Sequence, residues 1–277
     1  MKLTTINNIV VKPMKTPNDD DKRPPRGYKL ISEPYANIFL CSKKKTGKSS
    51  VVAKMALEFA GKGHTSVHIF CSTVHIDPTY IALVDRLESK GITCYTSTSI
   101  KDDDNNDLVD DILKIDEEIE FEDHLDKEDD DVEEPNSKIL DLDPKPETKK
   151  RKKKKSKYKE IRRLFIFDDL ANEVRKSMSL KKLLKQNRHA LYKTIVASQY
   201  INDLDPQSIN QLDYVLLFKC HNDAKLLELH RKMDLSIEPD EFIKMYDTVT
   251  GDISKYDFLY ISRFEEYRKN FNQKIIL

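Results

Sequence analysis

Cysteine is scarce and scattered: the 277-residue sequence has four, Cys41, Cys71, Cys94 and Cys220, with no Cys-x-x-Cys pair among them. That spacing argues against a thiolate metal site and for buried, reduced thiols. The seven histidines show neither His-x-x-His nor His-Glu-x-x-His spacing, so a transition-metal site has no support. No apolar run approaches the roughly 18 residues of a membrane span. The opening MKLTTINNIVVKPMKTP is too polar and broken for a secretory signal. A soluble, intracellular protein without membrane contact is expected. Net charge is also missing, because Lys plus Arg and Asp plus Glu both total 48. The total says nothing about a polyanionic partner, but the charges are unevenly placed.

The length suits one sizeable α/β core carrying an insertion. Pro13, Pro17, Pro24 and Pro25 stand among charged residues in 1–28, a composition that buries little and reads as an arm. The folded domain is expected over 29–277, with a charged insertion at about 101–160. Apolar runs Asn37 to Cys41 and Val67 to Cys71 alternate with helical spacing over Ser49 to Ala60 and Thr79 to Ser89, and Gly91 to Tyr95 reads as a third strand. After the insertion, Leu164 to Phe167, Thr194 to Gln199, Tyr214 to Phe218 and Phe258 to Ile261 read as strands. Ser179 to Arg188, a short stretch at Pro206 to Gln211, Asp223 to Lys232 and Pro239 to Tyr246 read as helices. Such alternation predicts βαβ units and a mostly parallel sheet buried on both faces.

Two segments carry chemistry. Ser42-Lys43-Lys44-Lys45-Thr46-Gly47-Lys48-Ser49-Ser50 lies between a strand and a helix, the context of a Walker A phosphate loop, with Ser42 where the first glycine is usual. Backbone amides of the loop and helix start would surround the β-phosphate of ATP, and Lys48 would reach the β- and γ-phosphates. Ser49 would offer its hydroxyl to Mg²⁺, Gly47 would let the backbone wrap closely, and Thr46 would add a donor. The bland alternative is a solvated basic loop. Leu164 to Asp169 is an apolar strand ending in two carboxylates, as in a Walker B strand. Asp168 would hold Mg²⁺ through its water shell, and Asp169 would orient or deprotonate the attacking water. The competing reading has both aspartates capping the next segment. Gln199, at the next strand end, either reaches the γ-phosphate or starts a turn. Arg188 is either an ordinary cation at a helix C-terminus or an arginine finger for a neighbouring subunit's ATP.

The Walker A loop, Phe167-Asp168-Asp169, Asn187-Arg188-His189, Ala197-Ser198-Gln199-Tyr200 and Asp213-Tyr214-Val215 occur together and in order. The ensemble resembles the genome-packaging ATPases of large double-stranded DNA viruses and virophages, the poxvirus-type branch of the FtsK/HerA superfamily. That resemblance implies a RecA-like P-loop fold and a Mg²⁺-dependent ATPase. It further implies a homo-oligomeric ring that drives double-stranded DNA, without sequence preference, into a capsid through capsid or portal-vertex proteins. The compartment implied is the viral factory in the host cytoplasm, or the virion. Arg188 matches the position from which such motors present an arginine in trans.

The insertion has one amphipathic helix allowed by Leu108, Ile112, Ile115, Ile119 and Phe121, with the remainder expected to be poorly ordered. Its basic run, Lys149 to Lys155, has three readings: a DNA-contacting loop, a nuclear import signal, or a tether neutralised by the acidic block before it. Two other functions compete: another P-loop ATPase such as a helicase or kinase, and a nucleotide-gated scaffold without sustained turnover.

Overall fold

The computed structural model describes residues 21–130, 156–219, 221–252 and 256–277. Six strands run parallel: β1 (Asn37–Cys41), β2 (Ser66–Cys71), β3 (Thr93–Ser97), β4 (Arg163–Asp168), β5 (Tyr192–Ser198) and β6 (Tyr214–Phe218). Their order in the sheet is β3-β2-β4-β5-β1-β6, and β7 (Phe258–Ser262), β8 (Tyr267–Lys269) and β9 (Gln273–Lys274) extend it antiparallel. The apolar runs are strands buried on both faces. In β1, Ile38 and Leu40 pack with Val52 and Met55 on one face. Phe39 and Cys41 pack with Phe165 and Val215 on the other.

The helices are α1 (Lys48–Phe59), α2 (Pro78–Ser89), α3 (Leu108–Asp130), α4 (Ala171–Lys176), α5 (Met178–Gln186), α6 (Pro206–Ile209), α7 (Asp223–Lys232) and α8 (Pro239–Thr250). The expected α/β architecture, a mostly parallel sheet flanked by helices, is therefore present. Because β5 lies between β1 and β4, the ends of all three strands face one crevice, where open parallel sheets place their ligands.

Several expectations are corrected. The third strand starts two residues later than read, because the amides of Gly91 and Ile92 close the end of α2 on Glu88 O and Leu87 O at 2.8 and 3.1 Å. Helix α8 runs on to Thr250, whose burial with Val249 extends its apolar face. Phe258 to Ile261 does not close the sheet, since the short polar strands β8 and β9 follow it. Helix α4 had no sequence signal. Cys41 and Cys71 are buried, while Cys94, on edge strand β3, is only half-buried.

The insertion begins with a helix that belongs to the core. Asp107 accepts hydrogen bonds from the amides of Val109 and Asp110 at 3.0 and 3.1 Å and starts α3. Val109 and Leu113 are buried in the main core, whereas Ile115, Ile119 and Phe121 are 50, 44 and 66 % exposed. The docked face is thus Leu108, Val109, Ile112 and Leu113, turned from the one expected. Asp116 completes it with a bidentate pair to Arg163, both bonds 2.6 Å, and accepts a hydrogen bond from Tyr192. The run Lys149–Lys155, residues 131–148, Cys220 and the first 20 residues of the arm lie outside the described residues. Farther along the arm, Arg26 grips Glu160 at 2.7 and 2.6 Å, and Pro25 bridges to Lys159.

Candidate nucleotide site

The phosphate loop leaves β1 with Ser42 N bonded to Ser198 O at 3.0 Å. Ser42 takes no positive φ, so the side chain in place of the usual glycine causes no backbone strain there. The loop's turn falls instead on Lys45 and Gly47, with φ of 66° and 86°. Gly47 is the N-cap of α1, which has no side-chain cap and no acidic residue in its first turn. That helix start presents unpaired amides and the positive end of the helix dipole, a ready anion site. Thr46 does not line the cavity described below; its hydroxyl donates to Lys43 O at 2.8 Å and braces the loop. Tyr256 lies over the loop, so close that a Cβ on Gly47 would be 3.2 Å from its own Cβ.

Lys48 and the Walker B strand meet directly. Lys48 Nζ lies 2.6 Å from Asp168 Oδ1, with both side chains largely buried. The contact is an ion pair rather than an aligned hydrogen bond, because Oδ1 meets no donor at hydrogen-bonding angles among the described residues. Tyr80 of α2 donates its hydroxyl to the other oxygen, Oδ2, at 2.7 Å. Burial, and then the Asp168 charge, push the Tyr80 phenol well above its ordinary range, so it remains a proton donor. Asp169 turns outward at a φ of 56° and is exposed in the same cavity.

Gln199 follows β5 and is held from both sides. Ser198 Oγ donates to Asp203, and Tyr200 N donates to the same carboxylate at 3.2 Å. Asp203 lies in the short 3₁₀ turn Ile201–Asp203, so the strand end is pinned where the side chain must project. The cavity so formed has a volume of about 330 Å³ and is lined by Lys43, Lys44, Lys45, Gly47, Lys48, Ser49 and Ser50 of the loop with Asp168, Asp169 and Gln199. Beside the loop, burial and the nearby Lys225 and Lys43 charges hold His221 down at about 4, keeping it neutral at pH 7.

Sequence reasoning missed the wall supplied by α2 and the turn before it. Thr73, Asp77 and Thr79 line the cavity, and Tyr80 holds Asp168. The Asp77-Pro78 pair was readable as a helix start, but which strand ends that helix would face is set by the sheet order.

Arg188 is not brought to this cavity. It follows α5, where its guanidinium lies 3.3 Å from Asp213 and 4.0 Å from Glu33, and it is 55 % exposed. Asp213 precedes β6 and accepts from the amide of Asn37, so Arg188 sits at the amino ends of the strands whose carboxyl ends bear the phosphate loop. The length of a seven-residue strand, roughly 20 Å, separates it from its own loop.

A similar fold occurs in the genome packaging NTPase B204 from Sulfolobus turreted icosahedral virus 2 in complex with AMP, at 16 % identity and a TM-score of 0.51, covering 88 % of this chain and 100 % of that one. The same protein in complex with ATP-gammaS gives 16 % and 0.49, covering 88 % and 100 %. The cytoplasmic domain of the Thermomonospora curvata type VII secretion ATPase EccC gives 11 % and 0.43, covering 90 % of this chain and 24 % of that one. No curated protein matches. The family model described as Poxvirus A32 protein matches residues 132–266, so that stretch, which holds Asp168, Asp169, Arg188 and Gln199, is similar to that family.

Proposed function

We propose that this chain is an ATP-hydrolysing motor that moves double-stranded viral DNA into a capsid during virion assembly. The observation that carries the reading is the convergence of Lys48, Asp168, Asp169 and Gln199, from three neighbouring strand ends, on one cavity at an uncapped helix start. The chemistry follows from their placement. Phosphate oxygens take the loop and helix amides, and Lys48 exchanges Asp168 for the β- and γ-phosphates. Asp169, exposed and facing the cavity, orients water and accepts its proton, while Gln199 hydrogen-bonds the water or the γ-phosphate.

The residues also fit Mg²⁺. A cation, the Lys48 ammonium, already lies against Asp168 Oδ1, and Ser49 lines the same cavity. Ser49 and Asp168 would hold the ion, directly or through its water shell, and the ion would neutralise phosphate charge.

A motor of this kind works as a ring of identical subunits joined head to tail, so that each subunit meets its neighbour with a different face. Arg188, half-exposed and remote from its own loop, suits delivery to the adjacent subunit's ATP. DNA would be held through its phosphates, by basic residues that include Lys149–Lys155, and capsid or portal-vertex proteins would anchor the ring. The work would be done in the host cytoplasm or in the virion, with Lys149–Lys155 offering a route to the nucleus. Among the described residues no helix is long and apolar enough to cross a membrane.

Steady-state ATP hydrolysis with and without long double-stranded DNA, at low and moderate salt, tests the proposal. DNA should stimulate turnover, less so as salt rises. Lys48→Ala and Asp169→Asn should each lower turnover by at least about a hundredfold. Nucleotide binding without turnover under every DNA condition would overturn the motor in favour of a nucleotide-gated assembly protein.

A further inference from the structure

Asp168 ends β4 almost wholly buried, and its two oxygens have different partners. Oδ1 meets the Lys48 ammonium, which nucleotide phosphates would draw away, and Oδ2 meets the Tyr80 hydroxyl at 2.7 Å. The first partner is a flexible side chain; the second is fixed. Tyr80 is 1 % exposed, and its ring is part of the core beneath the site. Its place in the first turn of α2 is set by Asp77, which accepts from Thr79 N at 2.8 Å, by Pro78 at the helix start, and by Tyr80 N bonded to Asp77 O at 3.1 Å. The phenol therefore cannot follow the carboxylate if it turns.

We infer that Tyr80 is a positioning residue of the nucleotide site, holding Oδ2 of Asp168 so that Oδ1 stays aimed at the cation beside the phosphate loop. The inference rests on the reading of this cavity as a Mg²⁺–ATP site. Without the hydroxyl, Oδ2 is a buried anionic oxygen with no donor among the described residues, and the carboxylate gains by rotating toward Lys48 or water. Outer partners that orient a ligating group are typically worth ~10-fold or more in metal affinity, and that is the effect expected here. The bland alternative is that Tyr80 fills the core and its hydroxyl bonds whichever acceptor is nearest.

The test is binding of a fluorescent ATP analogue to the full chain, first in EDTA and then across a Mg²⁺ titration, for the parent, Tyr80→Phe, Asp168→Asn and the double variant. Tyr80→Phe should leave affinity in EDTA within about twofold and raise the Mg²⁺ midpoint ~10-fold. On the Asp168→Asn background the same change should shift nothing further. Should Tyr80→Phe fail to fold, Tyr80→Met, which keeps most of the volume, carries the same expectation. If Asp168→Asn moves the midpoint and Tyr80→Phe keeps the parent's, Tyr80 only fills the core and the inference is wrong. If Mg²⁺ leaves affinity unchanged in the parent as well, the reading of the cavity itself fails and takes the inference with it.

Discussion

The two ends of the parallel sheet use charge in opposite ways. At the carboxyl ends, Lys43, Lys44, Lys45 and Asp169 stand in loops around an open cavity, and Lys48 and Asp168 have only a few partners. Positive φ values at Lys45, Gly47 and Asp169 cluster there. At the amino ends, the buried charges are shared among several partners. Asp116 takes Arg163 and Tyr192; Asp213 takes Arg188, Arg263 and the Asn37 amide; Lys193 is buried with its ammonium on Glu33 O. One end keeps charges free to exchange partners, which phosphate chemistry requires. The other end uses them to fix where the strands begin.

If that division holds, breaking the buried Asp116–Arg163 pair at the amino end should cost stability and spare turnover, the reverse of Lys48→Ala. The largest effect is expected from Arg163→Met, which leaves Asp116 charged and buried on the docked face of α3. Burial pushes the Asp116 carboxyl up, but the hydrogen bonds from Arg163 and Tyr192 outweigh it and hold it below its ordinary value. Removing one partner of such a pair costs roughly 3–5 kcal/mol. Urea unfolding should show that loss, while ATP hydrolysis per folded molecule stays near the parent's. A fall in turnover with unchanged stability would break the comparison.

The carboxyl end was the more legible in the sequence, and for a physical reason. Phosphate binding by a loop depends on consecutive residues, so Gly47, Lys48 and Ser49 could be read as a unit, as could Asp168 and Asp169 at the end of an apolar run. Gln199 was legible as a strand end, and β5 placed between β1 and β4 brings it to the cavity. The amino end is built from residues far apart in the chain. Asp116 and Arg163 are separated by 47 positions, and nothing in either neighbourhood announces the other. For the same reason the amphipathic helix read at the charge-rich start of the insertion did not show which face would dock. It docks through Leu108, Val109, Ile112 and Leu113 and leaves Ile115, Ile119 and Phe121 exposed, a choice of face that the sheet surface decides. Tyr80 was hidden likewise, since its partner is 88 positions away.

A smaller effect, and one that depends on pH, is expected at Lys193. Burial pushes its ammonium down from 10.5 to about 7, with Glu33 and Asp213 opposing the shift. The unfolded chain keeps that proton to about 10.5, whereas the folded chain releases it near 7. Between those values the unfolded state binds more protons, so stability rises with pH. Below about 7 both states are protonated and the cost of enclosing the charge is fully present. Lys193→Met should therefore stabilise the fold by roughly 2–3 kcal/mol at pH 6 relative to its effect at pH 10, where loss of the bond to Glu33 O remains. Urea unfolding of parent and variant across that range would show the difference closing as pH rises. A difference independent of pH would mean that the lysine's charge is matched at this end of the sheet.

The smallest effect sharpens the comparison from within the loop itself. Ser42 is fully buried, and its hydroxyl has no hydrogen-bond partner among the described residues. It does not line the cavity, although its neighbour Lys43 does. If the free chemistry of the carboxyl end is confined to groups that face the cavity, this hydroxyl is only a desolvated polar group. Ser42→Ala should then raise stability by about 1 kcal/mol and leave nucleotide affinity and turnover within about twofold. Thermal melting and ATP hydrolysis on the same preparations decide it. Loss of affinity would instead place Ser42 among the groups that turn toward phosphate when nucleotide enters, and would move the boundary between the sheet's fixed and exchangeable parts one residue closer to β1.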